Sequence, residues 1–296
     1  MDVNLKQLEA FIWVADLGSF RRAADRLNTT QPNISARISK LESALGITLM
    51  ERDAGSVRLT ARGRDMLDHA RVVLRSTEAL ISASGRANQL DGTLRLGVTE
   101  MIVHTWLREL LKQLRDDYPN VTVELTVDMS ANLEGELHQR SIDLALQNAP
   151  FSRQTSGNIA LGTYPLVWVA APGLALPARP RAEDLAMHPI LTHARHTRLY
   201  QEIAAHFAHA GGRTRLVPSS NLASCIYMVS EGMGIAALPA AMVVRELARC
   251  ELVQVGYKWV PDSLRFHARY DAEKAPLFVA SAAKIAARVA RLFDAD

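Results

Sequence analysis

The sequence predicts a multi-domain α/β protein: an N-terminal winged helix-turn-helix over residues 1–60, a long linker helix over 61–90 and a two-lobed α/β domain over 91–296. Three patterns predict it. Residues 19–45 hold two short amphipathic helical segments joined by a few polar residues, with two strand-like segments close behind. Residues 61–88 repeat apolar positions every seven. From Gly92 onward strand and helix signals alternate, the mark of parallel sheets with crossover helices.

Composition sets the frame. The chain has 296 residues, enough for two or three cores. Hydrophobic residues are 48% and charged residues 22%, which excludes global disorder. Residues 1–9 carry two acids and one Lys without an apolar run, so no secretory signal is expected. No apolar stretch is long enough to span a bilayer, so no membrane association is expected and a cytoplasmic location is the default. Two cysteines, Cys225 and Cys250, make no disulfide framework.

The charge is uneven. Residues 1–90 hold 13 Lys and Arg against 10 Asp and Glu, whereas 91–296 hold 21 of each. Within 19–64 the balance is 9 basic to 4 acidic. The whole net charge of +3 therefore sits on the N-terminal part of the chain, where phosphate attraction would need it.

In the first helix Leu5, Leu8, Phe11, Ile12 and Ala15 recur at helical spacing. Gly18 suits a left-handed C-terminal position and Ser19 can cap the next helix. Ala23, Ala24 and Leu27 permit a close helix crossing. Thr30 is placed to cap the third helix, and Pro32 fits its first turn, where a missing donor costs little. There Ile34, Ile38, Leu41 and Leu45 make one apolar stripe, and the other side is short, polar and free of acids. Gln and Asn can pair with adenine edges, and Arg with guanine or a phosphate.

The expected DNA-contacting set is Arg22, Thr30, Gln31, Pro32, Asn33, Ser35, Ala36, Arg37 and Lys40, with Arg52 and Arg58 on a wing formed by residues 48–50 and 56–59. The linker helix then carries Leu67, Leu74 and Ile81 in one seven-residue repeat, Ala70, Thr77 and Ser84 in another, and Met66, Val73 and Leu80 alongside. Such a seam either pairs two chains or packs on its own domain; pairing is the expectation, with Leu67, Ala70, Leu74, Thr77 and Ile81 as the dimerisation residues. Two readers on one duplex multiply affinity and demand a near-palindromic site. Asp91-Gly92 breaks this helix.

Residues 5–88 strongly resemble the LysR-type transcriptional regulators. The resemblance rests on Leu8-Glu9-Ala10-Phe11, Gly18-Ser19-Phe20, Ala23-Ala24, Thr30-Gln31-Pro32, Ile34-Ser35, Leu41-Glu42, Leu45-Gly46, Glu51-Arg52 and Leu59-Thr60. Leu94-Arg95-Leu96-Gly97-Val98, Tyr118-Pro119, Ile142-Asp143-Leu144-Ala145 and 231–239 extend it over nearly the whole chain. It implies a periplasmic-binding-protein-like effector domain, with lobe I at 91–162 and 267–296 and lobe II at 163–266. It also implies a homo-oligomer built as a dimer of dimers, double-stranded operator DNA as partner, and contact with RNA polymerase where the member activates.

In open α/β sheets a ligand sits where strands end and helices begin. Those ends are Thr99, Glu100 and Met101; Asp128 and Met129; Gln147 and Asn148; Thr192 and His193; Ser220 and Asn221. By position they match segments lining the effector cleft in the family. Glu100 and Asp128 disfavour a simple anion, so a small polar organic effector, cationic or amphoteric, is expected.

Nothing else calls for a second function. His206 and His209 stand one turn apart without a convergent third ligand, and a solvated helix face explains them. Gly232 and Gly234 suit a helix-to-strand turn rather than a phosphate loop. No catalytic constellation, metal site or cofactor motif emerges. Two rivals remain: a binding protein whose N-terminal helices serve only assembly, which predicts no salt-dependent DNA affinity, and an enzyme in a two-lobed fold, which predicts turnover.

Overall fold

The computed structural model describes residues 3–53, 56–84, 92–208 and 214–295. The wing turn at 54–55, the side chain of Arg52, residues 85–91 at the end of the linker and His209 lie outside the described residues.

The reader consists of α1 (Leu5–Leu17), α2 (Phe20–Arg26), α3 (Gln31–Leu45) and the hairpin β1 (Met50–Asp53) with β2 (Ser56–Leu59). A capping box starts α1: Gln7 N–H donates to Asn4 Oδ1 (3.1 Å) and Asn4 N–H to Gln7 Oε1 (3.0 Å). Gly18 ends it with φ of 62°, and the Ser19 hydroxyl accepts from Arg22 N–H at 3.3 Å. The expected Thr30 side-chain cap is not made. Thr30 holds the N-cap position, but only its carbonyl takes part, accepting from Ile34 N–H at 3.2 Å. Phe11, Val14, Ala23, Ile34, Leu41 and Leu49 form the core. The Glu42 carboxylate fastens the hairpin to α3 by accepting from Leu49 N–H (2.7 Å) and Met50 N–H (3.2 Å).

Helix α4 (Ala61–Ala83) is capped by Thr60, whose Oγ1 accepts from Gly63 N–H at 2.8 Å. A Cβ on Gly63 would lie 2.1 Å from the Leu49 carbonyl, so glycine lets α4 touch the wing. Of the seam expected to pair two chains, Ala70 is buried and Leu67, Leu74, Thr77 and Ile81 are half-buried. Ala70 is buried in the reader core with Leu67 and Leu74 packed against it, and Ile81 packs on the core of the effector domain. The Thr77 hydroxyl bonds back to the Val73 carbonyl at 2.9 Å. The reader is too small to close its core with three short helices, and this stripe of α4 completes it. The outer apolar side chains are Val72, Val73 and Leu80.

Lobe I is a five-stranded sheet in the order β4-β3-β5-β12-β6, built from β3 (Gly92–Val98), β4 (Val121–Val127), β5 (Leu144–Asn148), β6 (Gly157–Tyr164) and β12 (Leu264–Tyr270). After β3 come α5 (Glu100–His104) and α6 (Leu107–Asp117); α7 (Ser130–His138) follows β4, and α12 (Leu277–Ala295) ends the chain. Strands β4, β3 and β5 are parallel, while β12 runs antiparallel between β5 and β6. Helices α6 and α12 share one core with this sheet, and α7 makes a smaller one from Leu133, Leu137, Ile142 and Ala145.

Lobe II has the order β11-β7-β10-β8-β9, with β7 (Leu166–Ala170), β8 (Ile190–Thr192), β9 (Leu216–Pro218), β10 (Ile235–Pro239) and β11 (Val253–Gln254). Its helices are α8 (Ala182–Ala186), α9 (Arg198–Phe207), α10 (Leu222–Ser230) and α11 (Val244–Ala248). The chain leaves the first sheet at Pro165 and returns at Leu264, rather than at 162 and 267. The reason is the β6–β12 ladder, which runs out to the Tyr164–Leu264 pair before either strand departs.

The reader docks on lobe I. Arg26 pairs with Asp143, and Arg140 and Arg71 both pair with Asp16. Trp13 lies between two guanidinium groups, 4.2 Å from Arg26 and 4.4 Å from Arg140. Arg95 Nη2 donates to the Arg26 carbonyl (3.2 Å), Arg75 Nη1 to the Glu273 carbonyl (2.9 Å), and the Glu78 carboxylate accepts from Leu277 N–H (2.7 Å).

Candidate DNA-reading face and effector cleft

Pro32 at the second position of α3 needs no donor, so the helix can begin on polar residues. Ile34, Ile38 and Leu41 are buried, which turns Gln31, Pro32, Asn33, Ala36 and Lys40 to solvent together with Thr30. Ser35 and Arg37 are half-buried at the edge of this face. Asn33 Nδ2 donates to Thr29 Oγ1 at 3.2 Å. Arg58 is exposed on β2, and Arg52 lies on β1. Arg22 is the exception in the expected set: its guanidinium donates to the carbonyls of Leu17 (3.4 Å) and Gln139 (3.3 Å), the latter on lobe I.

Between the lobes lies a cavity of about 650 Å³. Nine of the expected effector residues line it: Thr99, Glu100, Met101, Asp128, Met129, Asn148, His193, Ser220 and Asn221. Two do not. Gln147 is fully buried behind the wall, with Nε2 toward the Ser130 carbonyl (2.9 Å) and Oε1 toward Arg269 (2.9 Å). Thr192 is buried on the inner side of β8. Successive strand residues face opposite sides, so in the pairs Gln147/Asn148 and Thr192/His193 only the second residue reaches the cleft.

The sequence reading missed Glu134, Phe151, Ser152, Arg198, Leu264 and Phe266, which also line the cavity. Phe266 and Leu264 alternate along β12, which was a readable signal. Phe151 and Ser152 follow Pro150 in a loop without periodicity.

Behind this wall Arg269 is 2% exposed and sits 2.9 Å from Glu134, with its guanidinium 3.9 Å from the Phe151 ring. Burial alone would raise the Glu134 carboxyl. Hydrogen bonds from the Ser152 hydroxyl, Arg269 and the Ser152 and Arg153 N–H groups outweigh it and bring the group down to about 2. His193 is lowered too, here by burial, to about 4, against a hydrogen bond with the Ala237 backbone. Among the described residues its Nε2 meets no hydrogen-bond partner, nor do the buried hydroxyls Thr99 Oγ1 and Thr192 Oγ1.

A bridge crosses the cleft. The Glu100 carboxylate, at the start of α5 in lobe I, accepts from Leu222 N–H (2.7 Å) and Ala223 N–H (2.9 Å) at the N-terminus of α10 in lobe II. Asn221 caps the same helix by accepting from Ser224 N–H at 2.6 Å.

His206 is not simply a solvated helix residue: it stacks on Trp259 with centroids 3.6 Å apart and shares a 2.6 Å hydrogen bond with the Tyr257 hydroxyl. Among the described residues no cluster of His, Cys, Asp or Glu could hold a metal, and no helix is long and apolar enough to cross a membrane. Both cysteines are free. Cys225 is buried, and burial raises its thiol, the opposite of what a reactive thiolate needs.

A winged helix-turn-helix with an open recognition helix, joined by one long helix to two lobes around a cavity, defines a class of DNA-binding regulators that respond to small molecules. A family signature described as LysR substrate binding domain matches residues 87–284, and one described as a bacterial regulatory helix-turn-helix protein of the lysR family matches 5–64. The chain is 30% identical over 251 residues to the HTH-type transcriptional regulator AlsR of Bacillus subtilis, covering 81% of each. It is also 30% identical over 252 residues to a probable hydrogen peroxide-inducible genes activator of Mycobacterium avium, covering 83% of this chain and 80% of that one. A full-length OxyR variant from Pseudomonas aeruginosa shares the fold, with a TM-score of 0.60, 21% identity and coverage of 99% of this chain and 96% of that one. The chain belongs to the LysR family of DNA-binding transcriptional regulators with an effector-binding domain, a family of regulators rather than enzymes.

Proposed function

We propose that this chain reads a partly palindromic operator with the face Thr30, Gln31, Pro32, Asn33, Ala36 and Lys40, flanked by Ser35 and Arg37, while Arg52 and Arg58 of the wing hold the DNA backbone. The observation that carries this reading is the open polar face of α3 directly above a fully apolar inner stripe. Small-molecule binding in the cavity between the lobes changes their closure and so the operator complex, which requires unequal affinity for two states of the assembly. The working unit is a homo-oligomer, a dimer of dimers by family likeness, acting in the cytoplasm and touching RNA polymerase where it activates. Exposed Val73 and Leu80, one heptad apart on α4, supply the seam between two chains.

Selection of bound fragments from the source genome, followed by footprinting at two salt concentrations, tests this. The expected result is a discrete interrupted palindrome protected at both salts. Diffuse protection that vanishes at the higher salt would leave only phosphate attraction and overturn the reading.

A further inference from the structure

We propose that Glu100 is a built-in stand-in for a ligand carboxylate at the N-terminus of α10, so that the cleft rejects anionic effectors and takes a cationic head on an apolar body. This rests on the cavity being the effector site.

Helix N-termini usually attract anions because their first N–H groups lack partners. In α10, a nine-residue helix, those groups are already used. Leu222 and Ala223 N–H donate to Glu100, Ser224 N–H donates to Asn221 Oδ1, and Cys225 N–H donates to the Asn221 carbonyl. An incoming carboxylate finds these four N–H groups taken and meets a carboxylate already in place.

The wall itself is built on acceptors, two of them just beneath its surface. His193 uses one ring nitrogen toward the Ala237 backbone, and its unpartnered Nε2 is then an acceptor on a neutral ring. Thr99 Oγ1, on a side chain that is more than nine-tenths buried, stands unpaired next to Glu100. Asp128 adds a second carboxylate, whose Oδ1 accepts from Met129 N–H (2.7 Å) and Asn132 Nδ2 (2.8 Å). The cationic side chain among the lining residues, Arg198, is held by Glu202 and Asp262 and aims its guanidinium at them. Glu134 is neutralised by Arg269. The remaining fixed charge on the wall is negative, and the rest of the lining is largely apolar, including Met101, Phe151 and Phe266. A ligand with several N–H donors on a positive head satisfies both sets of groups.

The experiment uses the full-length chain and a shape-matched pair, benzamidine and benzoate, read by calorimetry on wild type, Glu100→Ala and Glu100→Gln. Wild type is expected to bind benzamidine and to prefer it over benzoate. Glu100→Ala frees two N–H groups, so its benzoate affinity is expected to rise about tenfold or more while benzamidine weakens. Glu100→Gln keeps one acceptor oxygen and gives a smaller change in the same direction, which covers the case of an Ala variant that fails to fold. Benzoate binding by wild type equal to benzamidine, no benzamidine binding by wild type, or no gain of benzoate in either folded variant overturns the proposal. Operator binding is measured on the same samples: ligands that bind as expected yet leave the footprint unchanged count against the regulatory role of the cleft, not against Glu100.

Discussion

Arg26 on α2 of the reader and Asp143 at the entry to β5 of lobe I form an ion pair with side chains only 7% and 6% exposed. Asp143 also accepts from Arg95 N–H at 2.9 Å, so the carboxylate serves both domains. Removing one partner of such a pair leaves the other charged and dry. Arg26→Met or Asp143→Asn is therefore expected to cost about 3–5 kcal/mol, and the double variant less than their sum. Urea unfolding of the four proteins checks this; additive losses would mean that the pair carries no coupling.

The reader face separates two kinds of contact. Gln31→Ala is expected to weaken operator binding by about 1–3 kcal/mol with little effect on random DNA. Lys40→Ala is expected to weaken both and to reduce the salt slope by about 1. Titrations at several salt concentrations distinguish these, and equal loss on random DNA for Gln31→Ala would make it a backbone contact. Arg22→Ala belongs to neither kind. Its bond to the Gln139 carbonyl makes the expected loss one of docking on lobe I.

Two groups help to set the acid limit, beside His206 and His267, which burial also lowers. The unfolded His193 imidazole takes a proton near 6.5 and the folded one only near 4. Between those values the unfolded chain binds more protons, so stability falls as pH drops, and His193→Gln flattens that slope. The Glu134 carboxyl titrates near 4.5 when unfolded and near 2 in the fold, so it adds a further loss from 4.5 downward, which Glu134→Gln removes. Thermal melts from pH 7 to 2 read both windows. An unchanged slope in either variant would assign the loss to other groups.

The two stripes of α4 are expected to fail differently. Leu80 is 71% exposed, so Leu80→Asp leaves the folded chain stable but breaks pairing, read as a fall in mass by light scattering. Leu67→Ala removes a side chain from the reader core and costs about 1–3 kcal/mol of stability with the assembly intact. A Leu80→Asp protein of unchanged mass would move the interface elsewhere.

These contrasts mark where sequence patterns end. Period and caps made α1, α3, the hairpin and most strands readable, because each depends on neighbours within a few residues. Two adjacent heptad stripes on α4, 66/73/80 and 67/74/81, are equally apolar, and only tertiary packing decides which one the chain keeps for itself. Strand ends pointed to the cleft, yet pleating alone put Asn148 in it and Gln147 behind it. Arg22 read as a DNA contact and Arg26 only as part of the basic balance of 19–64; their partners Gln139 and Asp143 lie more than a hundred residues away, beyond any local pattern.

The docking network has one further result. Every bond described between the reader or α4 and the effector domain ends on lobe I: at Asp143, Arg140, Arg95, Gln139, Glu273 and Leu277. Reader and lobe I are thus tied into one piece, and lobe II joins it through the two crossings and the Glu100 bridge. On the function proposed above, a small molecule that closes the cavity has no need to loosen the DNA-binding helices. It would re-aim them, and the spacing between half-sites on the operator would become a ruler for the separation of two first lobes.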